Sequence, residues 1–272
     1  MGATSTGKTK LPIDISKAIG GEVMNANKMQ IYACLDIATN KIRPSDQGGI
    51  PHHLFGVLSS IADDLSVPSF RSMATSTAES IARWGRVPVL VGGSNSFMHG
   101  FLVDQLDPSL GNPFTIPRYK PNLRFASCLL WLHAHKLVLN EYLSRRIDDM
   151  VCAGLIKELK EYFNTTSIQK TPKHTGLDKA IGLPELRECF LGRRSLSNSI
   201  YEMKANTKGL AKAQTEKIRH IASVWSWLVC VLDATKSMHA HLSGGDHIME
   251  DIAWECDVRS IAIDIVNKFL HS

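Results

Sequence analysis

The sequence holds no apolar run near the ~18 residues that a membrane-crossing helix needs, so no helical span is expected. It has no C-x-x-C pair. Its six cysteines (Cys34, Cys128, Cys152, Cys189, Cys230 and Cys256) are scattered, which argues against a zinc finger or redox dithiol and fits a reducing compartment. Clustered basic runs are absent too: 31 Lys and Arg stand against 26 Asp and Glu, a net charge of +5. That balance suits an anionic substrate but not a nucleic-acid footprint. No repeat or low-complexity tract interrupts a chain of 272 residues, 44% of them hydrophobic and 21% charged, as expected of one α/β core with a helical accessory part. No leader is expected either, because the first motif opens at Gly2 and leaves no room for one.

That motif is Gly2-Ala3-Thr4-Ser5-Thr6-Gly7-Lys8-Thr9, a full match to G-x-x-x-x-G-K-[ST]. Glycines let the backbone curl so that N–H groups point at phosphate oxygens. Lys8 adds a point charge, and Thr9 offers a hydroxyl to Mg²⁺. The spacing of Leu11, Ile15, Ala18 and Ile19 predicts the helix that should follow, with Pro12 tolerated in its first turn. Further on, "GEVMN" reads as a short apolar strand, "VPVLVGG" and "ASCLLWL" as buried strands, "LVCVLDA" as a further strand, and "FRSMATSTAESIARWGR" as a helix closed by Gly85. Residues 104–122 carry four prolines and read as a connecting excursion. From residue 136 the pattern turns helical, with Leu137, Tyr142, Ile147, Met150, Leu155 and Leu159 as its apolar stripe, interrupted by a polar stretch at 164–176. Strands alternating with helices predict an α/β fold, a P-loop NTPase-like parallel sheet with a helical accessory domain. The segments are a core over 1–135, a mainly helical substrate-closing region over 136–222, and a return strand and helix over 223–272.

The loop does not say which phosphate compound binds. A kinase would need an acidic Mg²⁺ partner at a later strand end; "CLLWLHA" ends in His133, leaving only Asp233, a residue that more often caps a helix. Together with "NANKMQIYACLDIATNK", "GIPHHLFG", "VPVLVGGSNSFMHGFL", "LSRRIDDMVCAGLIKEL", "KAIGLPE" and "ANTKGLAKAQTEKI", the loop resembles the plant adenylate isopentenyltransferases, which make cytokinins. Nearly the whole chain carries the resemblance. It implies transfer of a dimethylallyl group from dimethylallyl diphosphate to N6 of adenine in AMP, ADP or ATP, with Mg²⁺ at Thr9. Alternatives are an impaired nucleotide- or diphosphate-binding remnant, or a tRNA dimethylallyltransferase. A monomer is expected. The resemblance assigns catalysis to Asn27, Lys8 and Thr9. It assigns substrate and phosphate contacts to Gly2 through Thr9, Thr39, Ser94, Asn95, Arg146 and Lys204. The adjacent His52 and His53 are read as loop residues packing beside the site.

The sequence departs from the family at four points. Asn27 stands where the family's N-S-D-K-x-Q-x-Y has its general-base Asp. His133 replaces the acid of W-V-D, Ala213 replaces the Arg of L-A-x-R-Q, and Asp178 occupies a commonly basic position beside Lys179. An amide accepts a hydrogen bond but cannot take a proton at neutral pH. The family also has a buried strand ahead of its loop, so the resemblance implies that this sequence, expressed as it stands, is unstable or aggregates.

Overall fold

The computed structural model describes residues 1–165, 176–244 and 247–272; most of the polar stretch at 164–176 lies outside them. Among the described residues five strands pair, all in parallel, in two separate sheets. In the first, β1 (Gly21–Asn25) lies between β2 (His52–His53) and β3 (Val87–Val91). In the second, β4 (Leu129–His133) pairs with β5 (Val229–Asp233). Parallel neighbours need crossovers, and helices supply most of them. The loop feeds α1 (Lys10–Ile19), and β1 is followed by α2 (Asp36–Thr39). The helix α3 (Val67–Arg83) leads into β3, and α4 (Asn95–Leu102) leaves it. Between β4 and β5 stand α5 (Lys136–Cys152), α6 (Leu155–Thr165), α7 (Leu183–Phe190) and α8 (Leu196–Ser223). The chain closes with α9 (Thr235–Leu242), α10 (His247–Trp254) and α11 (Ser260–Leu270). This is the expected α/β fold, parallel sheet flanked by helices, with a long helical stretch between β4 and β5.

Local sequence explains most boundaries. Ser66 starts α3 by accepting from the Ser69 N–H at 3.2 Å, and Gly85 follows its end at φ +68°. In α1 the buried face is Leu11, Ile13 and Ile15; Pro12 fits the first turn, and Ala18 is exposed rather than part of the stripe. The helical run from residue 136 breaks in two at Gly154, whose φ of +103° reverses the chain between α5 and α6. Along α5 the buried positions are Leu139, Leu143, Ile147 and Met150, so the stripe is phased from Leu139, and Leu137 is 70% exposed. The histidine pair does not sit in a loop: it forms β2, where His53 Nε2 meets Glu22 Oε2 at 2.7 Å.

The separation of the two sheets bears most on stability. A groove of about 450 Å³ runs between β3 and β4, floored by apolar side chains of α1, α4 and α11. Four of the five β3 residues are consequently half-buried, where the sequence predicts a fully buried strand. At one end of the groove the chain begins a pairing with β4. The Met1 amine donates to Leu130 O at 2.6 Å, Leu132 N–H donates to Met1 O at 2.9 Å, and Gly2 bridges Leu132 in parallel. Burial, and then the Lys8 charge, push the Met1 amine down to about 5.

Candidate active site

The phosphate loop curls through two left-handed positions, Ser5 at φ +66° and Gly7 at φ +92°. At Gly7 the requirement is double, because an added Cβ would also lie 2.6 Å from the Trp254 ring. Gly2 and Ala3 brace the loop from behind and do not line a cleft. The Ala3 carbonyl accepts from the Thr6 hydroxyl at 2.9 Å and from the Lys8 ammonium. Residues Thr4 to Lys10 face a cleft of about 850 Å³, which runs on past Asn27, Thr39 and Ser94 to α5 and α8.

Arg146 reaches the loop from α5 and donates to the hydroxyls of Thr4, at 2.8 Å, and Ser5. Neither Lys8 nor Arg146 has a carboxylate partner among the described residues. Two enclosed cations side by side repel. Burial first, and then Arg146, push the Lys8 ammonium down to about 7; burial also holds Arg146 below its ordinary value, with Tyr142 acting in the opposite direction. The arrangement is completed chemically by an anion. Thr9 stands at the start of α1 without using its hydroxyl as a cap. The described residues contain no His/Cys/Asp/Glu group able to hold a metal alone. The Thr9 hydroxyl is an oxygen donor of the kind a hard cation such as Mg²⁺ takes.

Across the cleft, Asn27 is locked in place. Its Oδ1 accepts from the Gly93 N–H at 2.5 Å, and its Nδ2 donates to Gln30 Oε1 at 2.9 Å. Gln30 in turn donates to Thr39 O and Asn40 O, at 3.0 and 2.8 Å. The fully buried Asn25 holds the backbone of residue 27, accepting its N–H at 2.8 Å and donating to its carbonyl at 3.2 Å. Ser94 Oγ accepts the Lys28 N–H at 3.0 Å, so it shapes this wall as well as lining it. Thr39 lines the cleft, but its hydroxyl donates to Leu35 O at 2.7 Å.

Several expected contacts fall elsewhere. Lys204 is outside the cleft, ion-paired to Asp148 at 2.7 Å on the neighbouring α5, so its charge is already matched. Asn95 is buried behind the wall and donates to Gln214 O at 3.0 Å. His133 ends β4 with its ring 5.2 Å from Trp131 and does not line the cleft, and Ala213 is exposed. Asp233 accepts from the N–H and hydroxyl of Thr235 at the start of α9, where Ala234 is the cap position, and it is not among the residues that line the cleft. Asn25, Gln30 and Gln214 are the site residues that sequence reasoning passed over. The first two lie inside "NANKMQIY" and Gln214 inside "LAKAQ", so their signal was motif membership without an assigned task.

Residues 30–113 and 109–220 match a family model described as IPP transferase. The adenylate isopentenyltransferase of Humulus lupulus is 36% identical over 99% of this chain and 89% of its own length. Adenylate isopentenyltransferase 5, chloroplastic, of Arabidopsis thaliana is 34% identical over 99% of this chain and 78% of its own. Among solved structures, a eukaryotic dimethylallyltransferase acting on tRNA superposes with a TM-score of 0.81 at 24% identity, covering 99% of this chain and 78% of that one. The tRNA isopentenylpyrophosphate transferase of Bacillus halodurans superposes with a TM-score of 0.74 at 24% identity, over 96% of each. The solved structures share the fold, and the sequence likeness runs end to end over it: the chain belongs to the IPP transferase family.

Proposed function

We propose that the cleft transfers a dimethylallyl group from its diphosphate to N6 of an adenine nucleotide, a reading in line with the name adenylate isopentenyltransferase carried by the plant relatives. One observation carries the reading: Lys8 and Arg146, two cations without carboxylate partners among the described residues, converge on the loop at one end of a cleft whose other wall holds Asn27. A diphosphate supplies the missing charge. In the reaction the C1–O bond to the diphosphate breaks, N6 bonds to C1, and the N6 proton is lost to solvent. Charge develops on the leaving oxygens, where Lys8, Arg146 and the loop N–H groups stabilise it. Mg²⁺ held by Thr9 and the diphosphate would add electrophilic stabilisation there. The second lone pair of Asn27 Oδ1 accepts an N6–H and orients the amine without removing its proton. The test is incubation of the protein with dimethylallyl diphosphate and AMP, ADP, ATP or unmodified tRNA, with mass detection of the prenylated adenine. Product from the nucleotides is expected; product from tRNA alone would move the function to tRNA, and no product from any acceptor would sink the reading.

Two further outcomes follow from the cations. Replacing Arg146 by Met removes a charge-assisted contact worth about 1.5–3 kcal/mol, so inorganic diphosphate should bind roughly 10- to 100-fold more weakly by calorimetry. Lys8, at about 7 when the loop is empty, should rise when an anion binds. Below about pH 7 it is already charged; above that, binding draws in a proton and affinity falls as pH rises. Calorimetry at about pH 8 in buffers of different ionisation enthalpy should read this uptake, and Lys8→Met should abolish it. For the empty protein the linkage has the opposite sense. The folded value lies below the unfolded one, so Lys8 contributes stability that grows as pH climbs from about 7 toward the ordinary lysine range.

A further inference from the structure

We propose that Gln214 is a positioning residue that sets the distance between the phosphate loop and Asn27. The proposal rests on the prenyl-transfer reading of the cleft. Gln214 sits on α8 and lines the cleft, 210 positions from the loop residue it holds. Its Oε1 accepts the Thr4 N–H at 2.8 Å, and its Nε2 donates to Gly93 O at 3.1 Å. A donor at one end and an acceptor at the other fix which way round the amide lies. The same Gly93 donates its own N–H to Asn27 Oδ1. An unbroken relay therefore runs from the loop backbone through Gln214 and Gly93 to Asn27, and on to Gln30.

Gly93 has to be glycine for this relay to close. An added Cβ would lie 2.6 Å from Gln214 Nε2 and 3.3 Å from Asn27 Oδ1, so the two side chains occupy the space a side chain at residue 93 would need. Asn95 completes the clamp by donating to the Gln214 carbonyl at 3.0 Å, which pins the backbone as well as the side chain. The consequence is geometric. The loop holds the leaving diphosphate and Asn27 holds the attacking amine, so the separation of the reacting atoms is set by the relay. Misplacement of reacting groups by about 1 Å costs on the order of a hundredfold in rate.

Gln214→Met keeps the length of the side chain and removes both bonds. Gln214→Glu keeps an acceptor for Thr4 N–H but turns a second oxygen on the Gly93 carbonyl. With Gln214→Met, inorganic diphosphate should bind only a few-fold more weakly, while prenyl transfer falls by about a hundredfold in kcat with little change in KM. Gln214→Glu should bind diphosphate within about twofold of the unaltered protein and still lose rate about tenfold. Asn27→Ala should weaken diphosphate binding in the unaltered protein but add little in Gln214→Met, because the relay is already cut. Gln214→Met indistinguishable from the unaltered protein overturns the proposal. So does a loss of rate in equal proportion to a loss of diphosphate binding, or a cycle in which the two substitutions act independently. If the unaltered protein binds diphosphate but prenylates no adenine nucleotide, the proposed function fails, and the binding cycle still decides the coupling.

Discussion

Fusing a five-residue extended segment of alternating Val and Ile directly ahead of Met1 is expected to raise the melting midpoint by roughly 10 °C. The groove between β3 and β4 is apolar, lies between two parallel sheets, and already has its first backbone bonds made by Met1 and Gly2 on β4. A strand entering it would bury apolar side chains at about 1.5–3 kcal/mol each. Ordering its backbone would cost about 1–2 kcal/mol per residue, leaving a net gain of a few kcal/mol. It would also move Met1 from amine to amide, removing an amino group held in its neutral form. Thermal melts compare this fusion with one of equal length made of Gly and Ser. If both fusions melt like the unextended chain, the groove does not accept a strand.

Asn27→Asp is expected to raise the prenyl-transfer rate by about 10²–10⁴, the usual worth of a positioned general base. The carboxylate oxygen that keeps the Gly93 N–H would offer its second lone pair to the N6 proton, now as a base. The rate should then climb with pH through the carboxylate pKa and level off, a limb absent from the unaltered protein. The substitution also has a structural cost. A carboxylate oxygen in place of Asn27 Nδ2 meets Gln30 Oε1, and relief requires the Gln30 amide to turn, giving up its bonds to Thr39 O and Asn40 O. A small drop in melting midpoint should therefore accompany the gain in rate. Equal rates for the unaltered protein and the Asn27→Asp variant, over the whole pH range, would show that proton removal does not limit the reaction.

The parts of the molecule that can be read in advance are those whose physics is local. Phosphate-loop curvature arises from consecutive residues, and the helix after it from a run with Leu11 and Ile15 on one face. Strand positions are legible in the same way. Spacing places Leu137 in the stripe of α5, yet the covered face runs through Leu139, Leu143, Ile147 and Met150 and leaves Leu137 outside, because which face is buried depends on what packs against the helix. Lys204 falls outside the site for a different reason: a basic residue that the resemblance assigned to phosphates is claimed by Asp148 on a helix 56 positions earlier.

From its residues alone this chain is an α/β protein with a phosphate loop, an amide in place of a carboxylate at residue 27, and a family likeness that names the chemistry. Those are properties of neighbours along the chain, where backbone geometry and residue type suffice. Its folding brings Arg146 to Thr4 across 142 positions and Gln214 to the same residue across 210, and it leaves the sheet open between β3 and β4. Contacts at that separation are set by how the helices between β4 and β5 pack back over the loop. Whether a cation finds a carboxylate or faces the cleft without one is therefore decided by packing, which residue order does not contain.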